Sequence, residues 1–66
     1  MTIKQYQNGY LLTDGIYSYR LREVSRDPYP VVITIKMGKE LVWTETFDSL
    51  QESLEFCFVY NGMKNP

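Results

Sequence analysis

Tyr10-Leu11-Leu12-Thr13-Asp14-Gly15-Ile16-Tyr17-Ser18-Tyr19-Arg20-Leu21-Arg22 is the stretch from which the architecture can be worked out. An Asp-Gly pair between two alternating runs suits a two-residue type I′ hairpin turn, whose central residues both need positive φ. Such a turn pairs Leu12 with Tyr17 and Tyr10 with Tyr19. Side chains alternate across a strand, so Tyr10, Leu12, Tyr17, Tyr19 and Leu21 share one face. Leu11, Ser18, Arg20 and Arg22 fall on the other. An apolar, aromatic side backed by a polar, cationic one is the pattern of an antiparallel sheet covered on one face.

Beyond this hairpin, Ser25-Arg26-Asp27-Pro28-Tyr29-Pro30 reads as a loop, because two prolines cannot both donate to a central ladder. Val31 to Met37 is β-branched and alternating. Gly38-Lys39 suits a type II′ turn, and Glu40 to Phe47 returns as the next strand. Its register is open. A two-residue loop puts Val42, Thr44 and Thr46 with the isoleucines and Trp43 on the opposite face; a three-residue loop sets Trp43 beside Ile35.

Ser49-Leu50-Gln51-Glu52 fits a capping box, and a helix should follow to about Tyr60, with Asn61-Gly62 as its stop. Met63 to Pro66 would be a frayed tail. At 100° per residue Leu50, Leu54, Cys57 and Phe58 form the core stripe, leaving Phe56, Val59 and Tyr60 outside it. The expectation is one α+β domain spanning residues 1–66, a four-stranded antiparallel meander with a C-terminal helix on one face (ββββα).

Composition narrows the function. The chain has 66 residues, with six Tyr, three Phe and one Trp, a single Cys and no His, so it is rich in residues that pack and poor in residues that do chemistry. One cysteine cannot form an internal disulfide, and no Cys/His cluster offers a metal site, so neither metal nor cofactor is expected. Cys57 reads as a small buried apolar residue. No apolar run is long enough for a membrane span, and the N-terminus lacks an apolar signal core. These features suggest a complete cytoplasmic protein without membrane contact. Net charge is −1, which weighs against a general nucleic-acid binder.

Without histidine the commonest general base is gone, and the glycines are isolated rather than gathered in a phosphate loop. The carboxylates are spread over positions that a solvated surface explains, and so small a unit leaves little room for a ligand-sized cleft. No enzyme activity is expected.

Two surfaces remain. The sheet face away from the helix would carry Arg20, Arg22 and Lys36, with Ser18, Thr34 and, in one register, Trp43. Cations beside a ring are what a nucleic-acid sheet uses. The other surface is an apolar overhang of Phe56, Val59 and Tyr60 with Tyr29 from the proline loop, joined by Trp43 if it faces out. Aromatic anchors of this kind are enriched at the centres of protein interfaces.

The run Thr44-Glu45-Thr46-Phe47-Asp48-Ser49-Leu50-Gln51-Glu52-Ser53-Leu54, from strand into capped helix, resembles the junction in several tiny phage proteins. Some anti-CRISPR proteins and a phage inhibitor of bacterial RNA polymerase are among them, and sheet-reading DNA-binding domains of integrases have a similar junction. The resemblance implies a short, non-catalytic protein acting on a larger partner, and it carries over no functional residue. The leading expectation is therefore a protein-binding module of phage or mobile-element inhibitor type, docking on a host protein and able to form a homodimer. The alternatives are nucleic-acid binding by the open sheet face and a structural subunit of a larger assembly.

Overall fold

The computed structural model describes residues 1–25 and 27–64. The chain forms strands β1 (Thr2–Tyr6), β2 (Gly9–Thr13), β3 (Tyr17–Glu23), β4 (Val31–Met37) and β5 (Glu40–Phe47), then helix α1 (Leu50–Lys64). The strands lie in chain order in one antiparallel sheet, and α1 packs on one face over β3, β4 and β5. The fold is α+β as expected, with five strands instead of four.

The additional strand is β1. It pairs with β2 across the Gln7-Asn8 turn, with Ile3 opposite Leu12, Lys4 opposite Leu11 and Tyr6 opposite Gly9. All five of its residues are exposed. It has no apolar alternation because it has no core to fill; the backbone ladder holds it in place.

The central hairpin keeps its faces but not its turn. Leu12 pairs with Tyr19 and Tyr10 with Leu21, a slip of two residues from a two-residue connection. Since alternation has a period of two, the slip leaves every side chain on its expected side. Local hydrogen bonds account for the wider loop. The Asp14 carboxylate accepts from the amides of Ile16 (2.8 Å) and Tyr17 (2.7 Å), and Thr13 Oγ1 accepts from Gly15 N. Only Gly15 takes positive φ here, so Asp14 avoids the left-handed conformation a type I′ turn would impose.

Gly38-Lys39 is the expected tight turn, with Gly38 at φ +63°. The register then shifts: Lys36 faces Leu41, yet Ile35 faces Trp43, which leaves Val42 as the extra residue of a β-bulge. The bulge lets both halves of β5 turn apolar groups inward. Val42 and Phe47 both pack against the core. An unbroken two-residue register would have put Thr46 inside and Phe47 outside.

Leu12, Tyr19, Leu21, Val31, Ile33, Ile35 and Cys57 form the buried core, each apolar side chain contributing roughly 1.5–3 kcal/mol relative to exposure. The Ser49 hydroxyl caps α1 by accepting from Glu52 N at 3.2 Å. Helix α1 continues through Asn61 and Gly62 to Lys64, past the expected stop, so Met63 and Lys64 are helical; Asn65 and Pro66 of the expected tail lie outside the described residues, as does Arg26 of the expected loop. The Asn61 side chain explains the continuation, since its amide donates to Asp14 Oδ2 and to the Tyr19 hydroxyl (3.0 Å). That ties the last turns of α1 to the β2–β3 loop.

The core stripe of α1 also differs from expectation. Ser53 and Cys57 are its buried centre, flanked by Leu50, Leu54, Phe56 and Tyr60. Phe58 points outward instead. Ser53 is small enough to let the helix axis approach the sheet, and its hydroxyl is satisfied by the Leu50 carbonyl at 2.7 Å.

Candidate functional site

The expected apolar overhang is largely dismantled. The Phe56 ring lies 5.2 Å from Phe47, and Tyr60 meets Tyr17 and Tyr19 edge-on, each at 6.1 Å between centroids. Phe56 and Tyr60 are thus packing residues that join α1 to β5 and β3. Val59 stays outside, 63% exposed, beside Phe58 at 50%. Tyr29 is half-exposed on its loop, and among the described residues no ring contact joins it to Phe56 or Tyr60.

Trp43 is 49% exposed, and it lies on the helix side of edge strand β5, level with Ile35. The first half of α1 sits by Phe47 and its last turns sit over Tyr17 and Tyr19, so the helix runs diagonally. That path leaves the Trp43 end of β5 uncovered. Trp43 Nε1 donates only a long 3.4 Å bond to Glu45. Its ring therefore does not join the cations of the open face.

The open face instead brings together Arg20, Arg22 and Lys36, as the alternation implied. With Leu11, Ser18 and Thr34 they line a hollow of about 340 Å³, a size at the lower end of ligand pockets. This volume departs from the expectation of no cleft. A smaller hollow of about 100 Å³ adjoins it, sharing Leu11, Arg20 and Arg22 and bounded by Tyr6, Asn8 and Gly9. Lys4 and Tyr6 belong to the same face through their pairings with Leu11 and Gly9.

Registers sort the charges. Lys4, Arg20, Arg22 and Lys36 all occupy the open face. Among the described residues no strand carboxylate does: Glu23, Glu40 and Glu45 pair with Val31, Met37 and Ile33 and belong to the helix side of their strands. Asp48, Glu52 and Glu55 lie on α1 or just before it. There a hydrogen bond and the charge of Asp48 hold the Glu52 carboxyl above its ordinary range. A nearly neutral chain is thus two-sided, cationic on the bare sheet and acidic around the helix.

Other titratable groups serve the scaffold. Burial pushes the Cys57 thiol up to about 12, so it stays protonated and unreactive at neutral pH. Burial likewise raises the Tyr19 hydroxyl. Among the described residues no group of three or more His, Cys, Asp or Glu could hold a metal ion, and no helix is long and apolar enough to cross a membrane.

Lys4 and Tyr6 escape the sequence reading because β1 does. The nearest signal is Asn8-Gly9, a common hairpin dipeptide, although the turn itself falls one residue earlier, at Gln7-Asn8. Comparison of the chain with protein-family models, curated proteins and solved structures finds no match.

Proposed function

We propose that this protein is a non-catalytic binding module that holds nucleic acid on its open sheet face. The carrying observation is the gathering of Lys4, Arg20, Arg22 and Lys36 on one sheet face, on which no strand places a carboxylate among the described residues. Uncompensated cations on an accessible sheet face attract phosphates and release their counterions. The overall charge of −1 ceases to be an objection once the acids sit on the far side, where they orient the molecule instead of blocking it. The hydroxyls of Ser18 and Thr34 add neutral donors to the same hollow.

The test is anisotropy of labelled single- and double-stranded DNA and RNA at low salt. Four phosphate contacts on a single strand give a slope of log K against log salt of about −3. Arg20→Ala and Arg22→Ala should each weaken binding and flatten that slope. No binding at protein concentrations up to about 0.1 mM, the weak limit of non-specific association, sinks the reading.

A second reading rests on Phe58, Val59 and Met63, which expose apolar surface on the outside of α1. Such residues would serve a protein-binding module, whether an inhibitor on a host protein, a homodimer or a subunit of an assembly. Light scattering of the wild type and a Val59→Ser/Met63→Ser variant tests the self-association arm: a dimer lost in the variant supports it, and a monomer throughout removes it.

A further inference from the structure

Gly9 stands between Tyr6 on β1 and Arg22 on β3, directly paired with both. It is buried and has no side chain, and with Tyr6 and Arg22 it lines the hollow of about 100 Å³. We propose that this hollow is a stacking slot for one unpaired nucleobase of a single strand, with the Tyr6 ring as one wall and the Arg22 guanidinium as the other. The inference rests on the nucleic-acid reading above and names what that face prefers.

The geometry fits the occupant. Adjacent strands are about 4.8 Å apart, so the backbones at Tyr6 and Arg22 are separated by about 10 Å. A planar ring stacked on both sides needs about 7 Å, two contacts of roughly 3.5 Å, which leaves the walls room to lean inward. Tyr6 is 51% exposed and Arg22 is exposed, so both side chains are accessible. Aromatic rings and guanidinium planes are both surfaces on which unpaired bases stack. Any larger residue at position 9 is barred, because β3 passes so close that an added Cβ would meet Leu21 O at 1.8 Å. Glycine is therefore what lets β2 and β3 pair at this point.

From the slot the surface continues without interruption past Arg20 into the larger hollow that ends at Lys36. A strand with one base in the slot can lay its next phosphates along those cations. A base inside a duplex is already stacked and paired and would have to be flipped out first, at the cost of both. The preferred occupant is therefore single-stranded.

The experiment compares a short labelled oligo(dT) with the same oligonucleotide in abasic form and with a duplex. Wild-type protein should bind oligo(dT) about ten-fold more tightly than the abasic strand, the usual effect of one stacked base. Tyr6→Ala should erase that difference without changing the salt slope, and Tyr6→Phe should retain it. Because Tyr6 lies on an exposed edge strand, the variant's circular dichroism should match the wild type. Equal affinity for abasic and dT strands, unchanged affinity in Tyr6→Ala, or a preference for duplex would overturn the slot while leaving a phosphate-binding face intact. Failure of wild type to bind any of the three removes both proposals.

Discussion

At Gly9 the added Cβ would stand 1.8 Å from the Leu21 carbonyl oxygen and 2.9 Å from its carbon, both backbone atoms that no rotamer change can move. Gly9→Ala must therefore part β2 from β3, and it should lower stability by at least about 1–3 kcal/mol in urea titration. Gly62 is the contrast. It is helical, has no positive φ, and an added methyl meets nothing within 4 Å. Gly62→Ala should stabilise by up to about 0.5–1 kcal/mol, since it only reduces the freedom of the unfolded chain. Asp14 supplies a pH signature. Burial alone would raise its carboxyl, but hydrogen bonds from Tyr17, Ile16 and Asn61 outweigh that and hold it below the ordinary value of 3.8. A depressed acid contributes its full stability above the unfolded value and loses it as pH falls through the folded one. The stability of wild type minus Asp14→Asn, from melting curves, should therefore be largest near neutrality and shrink on acidification below the ordinary carboxylate range; a difference that grows in acid would contradict this role.

At the scale of elements, what the sequence displays depends on whether an element's residues must choose between core and water. Strands β2, β3 and β4 must, and their alternation is legible: Leu12, Tyr19, Leu21, Ile33 and Ile35 are all buried on the expected face. β1 buries nothing, so its residues carry no pattern, and Lys4 and Tyr6 of the candidate site go with it. The Trp43 register depended on one bulge that a linear reading cannot place, because either loop length satisfies the turn chemistry. Helix α1 is apolar all round from Phe56 to Tyr60, and its stripe is set by the small residue Ser53, which looks polar in a sequence yet permits the closest approach. That choice reverses the expected roles of Phe58 and Tyr60. Tyr60→Ala should cost about 2–4 kcal/mol, as loss of a large packed aromatic does, with a clear drop in melting temperature. Val59→Ser, on the outer surface, should change stability by less than about 0.5 kcal/mol. Equal effects of the two would show that the helix is seated in another rotation.

For the molecule as a whole, the separation of charge has a cost that can be measured without any ligand. Arg20 and Arg22 lie two residues apart on one face of β3, Lys36 pairs with Ser18 next along the same face, and no carboxylate intervenes. Like charges gathered in this way repel, and the repulsion falls as salt screens it. The helix side shows that the chain has acids enough to intersperse; on the binding reading proposed above, the repulsion left on the open face is stability traded for binding. Isolated protein should therefore melt at higher temperature in about 0.5 M salt than in about 0.02 M, where the screening length is several times longer. Arg22→Gln should raise stability in low salt by a few tenths of a kcal/mol, the scale of exposed charge pairs, and make melting less sensitive to salt. The same substitution should weaken oligonucleotide binding, so stability and affinity move in opposite directions. A variant that loses both would mean Arg22 supports the fold, and the bare cationic sheet would no longer need a polyanion to explain it.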